Sequence, residues 1–285
     1  MTERLEDVEA RLASLTELQD VVGAMRSLAA VRLQQAVASL AGTRAYAEVV
    51  AAGLAGAVAL LPEARPDGGR SDRQGRGVVL FCAEHGFTGA FTERLVEAVL
   101  ADQEPLTLLV VGSRGSALLE ERGRAPAWYL PMATQPAAVP TTARHVADAL
   151  FDRVGSGTGS LTWVDMVYGC HHGAGPPTIE RRPLLPVDFS RFRRIPTAAP
   201  PLTNLPPARL VGRLAEEYVL AELAHAAMES VAAENGARLA TMQSARQNIS
   251  QAVETLRGTE HRIRQEQITA ELLELVTGME ALNKA

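Results

Sequence analysis

The sequence is poor in aromatic residues and in cysteine. Phe, Trp and Tyr make up 4% of its 285 residues, whereas hydrophobic residues as a whole make up 47%. Because few large rings are available to fill a thick globular core, an apolar content of mainly Ala, Leu and Val favours long helices. The two cysteines, Cys82 and Cys170, exclude a disulfide framework and are typical of a reducing compartment.

Positive charge is also scarce, with 28 Lys and Arg against 33 Asp and Glu and a net charge of -5. A general nucleic-acid binder would carry a basic excess. The charged N-terminus has no apolar signal core, and the most apolar run, residues 45–61, is shorter than the about 20 residues that span a bilayer. We therefore expect a soluble, intracellular protein that binds no nucleic acid.

Proline is absent from residues 1–61 and 208–285, although it recurs between them. A proline inside a helix costs about 3 kcal/mol, so these absences predict two long helices. Apolar residues in both stretches follow each other mostly at steps of three and four, as in a coiled-coil seam. The seam includes Leu5, Val8, Leu12 and Leu15 in the first stretch and Ile249, Val253, Ile268, Leu272, Leu275 and Met279 in the last. We predict that residues 1–61 and 207–285 pair as an antiparallel two-helix coiled coil.

Between these helices, short apolar runs alternate with helical segments. Strands are predicted at residues 77–82, 106–111 and 161–168, and helices at residues 92–101, 116–122 and 142–154. This alternation is typical of a parallel, doubly wound sheet, so residues 76–200 are predicted to form an inserted Rossmann-like α/β domain. Residues 65–76 are interpreted as a linker and residues 183–207 as an extended return segment. The predicted fold class is α/β with long helices.

Two motifs in the middle domain are compatible either with ligand binding or catalysis or with a purely structural role. Gly112-Ser113-Arg114-Gly115 follows a predicted strand and resembles half of a phosphate-binding turn, but a tight strand-to-helix turn also uses two glycines. Cys82 and His85 would suit a thiol nucleophile and its base. Because Cys82 ends an apolar strand, a buried small residue beside a polar turn is the favoured interpretation.

Two further groups of polar residues also have more than one interpretation. Cys170-His171-His172 offers metal ligands, but adjacent histidines on an extended chain point opposite ways, and no second cluster completes a four-ligand set. A solvated loop is therefore favoured, and no metal or other cofactor is predicted. An arginine group suits a solvated face or, alternatively, a patch for an acidic partner. Its members are Arg181, Arg182, Arg191, Arg193 and Arg194.

Residues 231–242 are small on all sides of the predicted helix rather than along one stripe. Small side chains make a thin rod that a partner can approach from any direction, although an ordinary Ala-rich coiled coil has the same composition. Gly236 and Gly258 each cost about 1 kcal/mol of helix propensity. A thin surface of this kind favours enclosure by other subunits.

Four segments resemble the gamma subunit family of F-type ATP synthases. Residues 21–33, which include Met25 and Arg26, are similar to the family's ITKAMKMVAAAKL signature, and residues 43–47 resemble its RPYA segment. Residues 233–242 resemble SENAARMAAM, and residues 264–272 resemble RQAAITQEL. The order of helix, Rossmann-like insert and helix also agrees, so the resemblance covers essentially the whole chain.

The resemblance implies a non-catalytic rotor shaft inside a ring of alpha and beta subunits, with its foot on the membrane c-ring beside the epsilon subunit. Met25 and Arg26 match positions that touch the acidic lever of the beta subunit. The other implied contacts with the ring are Arg32, Gln265, Thr269 and Glu271, and Tyr46 lies nearer the foot. The implied location is the cytoplasmic face of the inner membrane, which the chain reaches only through the complex.

The sequence departs from the family pattern at several positions. The family's DRGLCGG turn appears here as residues 83–91, and Gly236 stands where the family usually has alanine. These differences favour a divergent paralogue encoded in a second operon. Two rival functions stay open from the residues alone: a nucleotide-binding or enzymatic α/β domain with coiled-coil arms, and a homodimeric coiled-coil scaffold.

Overall fold

The structure is a computed structural model that describes residues 4–61, 75–102, 105–154, 160–173, 175–189 and 202–283. Two long helices, α1 (Leu5–Val58) and α5 (Pro207–Asn283), precede and follow an α/β segment in the sequence. The elements between them are β1 (Arg76–Phe81), α2 (Phe91–Leu100), β2 (Thr107–Val111), α3 (Ser113–Glu121), β3 (Trp128–Leu130), α4 (Val139–Phe151), β4 (Trp163–Cys170) and β5 (Thr178–Leu185). The two long helices predicted from the absence of proline are confirmed.

The chain forms two compact units. The coiled-coil unit consists of residues up to Leu28 together with residues from Ala240 onward, and the α/β unit runs from Ala29 to Leu239. In the coiled-coil unit, Gln19 donates a hydrogen bond to Ser250 over 3.2 Å, and Arg264 pairs with Glu9 at 3.0 Å. Because the partner's number rises as the number along α1 falls, the helices are antiparallel, as predicted.

The coiled-coil seam contains a cluster of aliphatic residues and methionine. Val22 of α1 packs with Met242, Ile249 and Val253 of α5, and four partly buried residues flank this cluster. They are Leu12, Leu15, Met25 and Ala245. A seam of small and aliphatic side chains at steps of three and four explains how so few aromatic residues suffice here.

The sheet of the α/β unit has the strand order β3-β2-β1-β4-β5. Strands β1, β2, β3 and β4 run parallel to one another, whereas β5 pairs antiparallel with β4. Successive side chains of a strand point to opposite faces of the sheet, and helices cover both faces. Val79 and Phe81 of β1 pack in one cluster with α4 and α5, and Val78 and Leu80 pack in the other with α2 and α3.

The prediction of an entirely parallel sheet is wrong at its edge, where β5 runs antiparallel. Residues 183–185 belong to this strand rather than to a return segment. Arg181, Arg182 and Pro183 give β5 a polar pattern that sequence reasoning does not associate with a strand, but an edge strand tolerates both charge and proline. Strand β3, with three residues, was also not predicted. Residues 65–74 of the predicted linker lie outside the described residues, and its last residue, Arg76, is the first residue of β1.

Candidate interaction surfaces and the crevice of the α/β unit

The crevice that binds ligands in many α/β folds is filled here by α5. In open α/β sheets, ligands bind beyond the carboxyl ends of the strands where the strand order reverses, which here is between β1 and β4. Glu234 of α5 accepts hydrogen bonds from the backbone N–H groups of Glu84 at 3.1 Å and His85 at 3.5 Å, just after β1. A Cβ atom placed on Gly169 of β4 would lie 3.0 Å from Ala233 of α5. The helix therefore lies against both strand ends.

The turn that resembles a phosphate-binding motif carries a carboxylate of the chain itself. Glu84 accepts hydrogen bonds from the backbone N–H of Ser113 at 3.1 Å, from its hydroxyl at 2.5 Å and from the backbone N–H of Met132 at 2.8 Å. Ser113 is the first residue of α3, so Glu84 takes the place of an anion at this helix N-terminus. Gly112 has a φ of 115°, and a Cβ there would lie 2.4 Å from the carbonyl oxygen of Cys82. The structure supports the tight-turn interpretation.

The two cysteines are buried. Burial raises the pKa of the Cys82 thiol, and the nearby charge of Glu234 raises it further. A thiol of raised pKa is a poor nucleophile at neutral pH, which supports a structural role for Cys82. Cys170 ends β4 and is buried, so the prediction of a solvated loop is wrong for this residue. Its neighbours His171 and His172 follow the strand, and within the described ranges no three His, Cys, Asp or Glu side chains gather as metal ligands.

Arg181 is held by acidic residues of its own chain. Its guanidinium contacts Asp102 and Asp165, each at 2.8 Å. These two carboxylates neutralise the arginine, so neither a solvated face nor a patch for an acidic partner describes it. Arg182 pairs with Glu180 at 3.0 Å, and residues 191, 193 and 194 lie outside the described ranges.

The first part of the small-residue segment, residues 231–238, was predicted to be enclosed by other subunits but is mostly buried within the chain's own α/β unit. Residues 231–235 are buried, and Ala232 and Ala233 have no exposed surface. Within this segment, Glu234, Asn235 and Arg238 form a buried polar network. The charged pair at i and i+4 within an alanine-rich stretch was the sequence signal that could have revealed this contact.

Gly236 accommodates a neighbouring histidine ring. A Cβ atom at this position would lie 2.8 Å from Nδ1 of His171, which is closer than real Cβ contacts allow. We expect Gly236→Ala to give no stabilisation, because the helix-propensity gain of about 1 kcal/mol is offset by displacing the ring. In a His171→Ala background, the same change should stabilise the chain by about 1 kcal/mol, as measured by urea unfolding.

Gly258 supplies the matched control for this experiment. Nothing lies within 4 Å of a Cβ at this helical position, so Gly258→Ala should stabilise the chain by about 1 kcal/mol whether or not His171 is present. The steric account would be wrong if Gly236→Ala stabilised the chain as much as Gly258→Ala while His171 is retained.

A second polar cluster on α5 contains buried atoms that have no hydrogen-bond partner in the described structure. Oε2 of Glu229 and Nδ1 of His225 are both of this kind, and Oε1 of Glu229 lies 3.9 Å from Nε2 of His225. Burial raises the pKa of Glu229, although a backbone hydrogen bond from His171 and the charge of Arg44 oppose the rise. Burial also lowers the pKa of His225, and Arg44 and Arg182 lower it further. Both shifts favour the neutral forms.

The raised pKa of Glu229 predicts a specific pH dependence of stability. Below the unfolded-state pKa of about 4.3, Glu229 is protonated in both states and costs nothing. As the pH rises towards the higher folded-state pKa, the unfolded state ionises first, so stability is lost. We expect Glu229→Gln to stabilise the chain by on the order of 1 kcal/mol at pH 8 but not at pH 4. Thermal unfolding across this pH range measures the difference.

Glu216→Gln is the control for this prediction, since Glu216 is exposed on the same helix. It should leave the pH profile of the melting temperature unchanged. A Glu229→Gln profile that runs parallel to the wild-type profile from pH 4 to 8 would contradict the assignment.

The C-terminal part of α5 carries an apolar stripe, defined here as Ile268, Leu272, Leu275 and Met279. These side chains recur at steps of four, three and four, and each is more than half exposed. The sequence predicted that they continue the seam with α1. That prediction is wrong for these four side chains, because a residue of a coiled-coil seam is buried against its partner helix.

The predicted contact residues occupy three separate stretches of the long helices. Met25 packs partly into the coiled-coil seam, and the adjacent Arg26 is half-buried, with an Nε atom that has no hydrogen-bond partner among the described residues. Arg32 is half-buried on α1. Gln265, Thr269 and Glu271 are exposed beside the stripe, and Thr269 donates its hydroxyl hydrogen bond to the carbonyl of Gln265.

Tyr46 lies on the α1 part of the α/β unit. Its ring is 42% exposed, and its hydroxyl donates a hydrogen bond to the carboxylate of Glu217 on α5. Partial burial and this hydrogen bond raise the pKa of Tyr46 to about 12, so it stays neutral at physiological pH. The structure thus shows the burial and the contacts of these residues, and their roles stay predictions.

Comparison with known proteins identifies the family. A family model described as ATP synthase matches residues 4–282 of this chain. The ATP synthase gamma chain of Moorella thermoacetica is 28% identical over 290 residues, covering 98% of this chain and 99% of that one. The gamma chain of Frankia casuarinae is 28% identical over 301 residues and covers 99% of each. The chain belongs to the ATP synthase gamma family.

Solved ATP synthase structures share the gamma fold. A chain of the Euglena gracilis mitochondrial enzyme, in a cryo-EM structure of OSCP, F1 and c-ring, aligns with a TM-score of 0.68 at 18% identity, covering 98% of this chain and 94% of that one. A chain of the Tetrahymena thermophila central stalk and c-ring aligns with a TM-score of 0.58 at 16% identity, covering 79% and 99%. The predicted fold class of long helices with a central α/β domain is confirmed.

Membership of the gamma family confirms the resemblance inferred from the sequence and the prediction of a central-stalk rotor subunit. As a gamma-family member, the chain is a subunit of a membrane-associated ATP synthase complex. Within the residues that the structure describes, no helix combines the length and the hydropathy needed to cross a membrane.

Proposed function

We propose that this chain is the torque-transmitting shaft that couples ion flow through a membrane ring to ATP synthesis or hydrolysis in a ring of alpha and beta subunits. One elementary charge crossing 100 mV releases about 2.3 kcal/mol, so several ion steps must be pooled for each ATP. A continuous helical rod can pool them mechanically. The main support for the proposal is the exposed apolar stripe on α5, because an exposed apolar surface of this kind is typical of a protein–protein interface.

Different parts of the chain have different partners under this proposal. The stripe and the adjacent Gln265, Thr269 and Glu271 contact the alpha and beta subunits, as do Met25, Arg26 and Arg32 of α1. The surface around Tyr46 faces the c-ring and the epsilon subunit. Exposure of Gln265, Thr269 and Glu271 supports the first assignment, and an exposed ring fixed by Glu217 supports the second.

The shaft is proposed to have no catalytic group or cofactor of its own, the reacting groups belonging to other chains. It lies at the cytoplasmic face of the inner membrane and reaches the membrane only through the complex, and nucleic acid is not among its partners. The filling of the α/β crevice by α5 disfavours the rival function of a nucleotide-binding or enzymatic domain. A homodimeric scaffold remains the rival that would also cover the stripe.

Co-expression with candidate alpha and beta subunits separates these functions. We expect a complex that contains this chain together with both subunits, and an ATPase rate that falls when the chain is omitted. Isolation of the chain as a homodimer without alpha or beta subunits, or an unchanged ATPase rate without it, would contradict the proposal.

A variant at Arg26 tests the proposed contact with an acidic partner. Within the assembled complex, Arg26→Ala should lower ATP-driven ion transport per ATP hydrolysed, whereas Arg257→Ala, an exposed change on α5, should not. Equal coupling in both variants would refute the role given to Arg26.

A further inference from the structure

Glu84 connects three strand ends of the α/β unit. It follows β1 by three residues, and its carboxylate binds Ser113 after β2 and Met132 after β3. The hydroxyl groups of Ser113 and Tyr129, the latter within β3, are also 2.6 Å apart. One side chain thus fixes the carboxyl ends of three adjacent parallel strands to each other.

The backbone around Glu84 is in turn fixed to α5. Glu234 accepts hydrogen bonds from the N–H groups of Glu84 and His85, and Arg238 donates to the carbonyls of His85 at 3.0 Å and Gly86 at 3.2 Å. Arg238 also pairs with Glu234, and both side chains are buried. Two buried charged residues of α5 therefore bind the loop, Glu234 through its N–H groups and Arg238 through its carbonyl groups.

We infer that Glu84 is a positioning residue for energy coupling, because it locks the α/β sheet to α5 so that a torque applied to the sheet is delivered to the helix. This inference rests on the proposed function of the chain as a shaft. Its path runs from the turns after β2 and β3 through the Glu84 carboxylate to the loop, and from the loop through Glu234 and Arg238 to α5. Hydrogen bonds to charged groups are stronger than neutral ones, which suits a joint under load.

Glu84→Gln weakens this joint with little change in volume. Both backbone N–H donors point to Oε2, so the amide oxygen can keep them while the NH2 group faces the Ser113 hydroxyl. The three charge-assisted hydrogen bonds then become weaker neutral ones. Under load, the sheet should then slip relative to α5 while ATP hydrolysis continues. Glu84→Asp keeps both acceptor oxygens on a shorter side chain and should retain part of the coupling.

The test uses the complete complex in inverted membrane vesicles. A potential-sensitive dye reports the initial rate of membrane-potential formation, which is divided by the rate of ATP hydrolysis in the same vesicles. We expect this ratio to fall at least threefold for Glu84→Gln and less for Glu84→Asp. Glu93→Gln, an exposed change on α2, should leave it unchanged. Because the ratio is independent of the amount of complex, a loss of folded protein alone would not lower it.

Ser113→Ala provides a milder variant should Glu84→Gln fail to assemble. It removes one hydrogen bond to Glu84 and should lower the ratio by about 1.5-fold. A wild-type ratio in assembled Glu84→Gln complex, or in Ser113→Ala complex where Glu84→Gln does not assemble, would overturn the inference while leaving the shaft function intact. A wild-type complex that hydrolyses ATP without forming any potential would overturn both.

Discussion

Replacing Leu272 and Leu275 together by glutamate should abolish assembly with the alpha and beta subunits while leaving the chain folded. Both side chains are more than half exposed in the chain alone, so the change costs little folding energy. Burying one leucine in an apolar partner contributes about 1.5–3 kcal/mol, and burying an unpaired carboxylate costs more. Their combined loss corresponds to an affinity at least about a hundredfold lower. Co-purification and titration of labelled chain measure it.

The matched control is the double change of Leu272 and Leu275 to methionine. Methionine has a similar volume and keeps the stripe apolar, so assembly should be preserved. Circular dichroism of both purified variants checks that the chain stays helical. Wild-type affinity of the glutamate variant for the alpha and beta subunits would show that the stripe is not an interface.

Among the single substitutions considered, Arg238→Met should cause the largest loss of folding stability. Arg238 and Glu234 are both buried and paired with each other, and Arg238 also satisfies the carbonyls of the loop after β1. Removing one partner of a buried ion pair leaves an uncompensated charge, which typically costs about 3–5 kcal/mol. Urea unfolding of the purified chain should show a lower midpoint for the α/β unit.

Arg262→Met serves as the control for this prediction. Arg262 is exposed and lies 3.9 Å from Glu266 one helical turn away, so its loss should cost less than about 0.5 kcal/mol. The double variant Glu234→Gln with Arg238→Met should recover part of the stability, because the buried charge is then removed. A midpoint for Arg238→Met within error of Arg262→Met would contradict the buried network.

The long helices were predictable because their signals are local. Absence of proline over residues 1–61 and 208–285 and steps of three and four are readable without any tertiary information, and helix bounds at Leu5–Val58 and Pro207–Asn283 agree with them. Strands β1, β2 and β4 were found for a similar reason. Each is mostly buried and is therefore mainly apolar, although β4 includes Asp165.

The remaining features depend on what lies nearby in space. Strand β5 is polar because it is an edge strand, and its Arg181 is satisfied by Asp102 and Asp165, which are distant in sequence. The burial of residues 231–235 depends on the loop after β1, so composition alone suggested an outside partner. The exposure of the stripe could not be predicted from its spacing, because the buried seam residues of the same helix recur at similar steps.

Rotation of the chain within an assembled complex tests the central claim most directly. The native cysteines are buried, so a cysteine introduced at the exposed Ala125 can be labelled selectively with a bead while the alpha and beta ring is fixed to a surface. The shaft function predicts continuous rotation of the bead in one direction when ATP is added, and arrest when ATP is removed. Steady ATP hydrolysis by the same complex with only undirected fluctuation of the bead would contradict it.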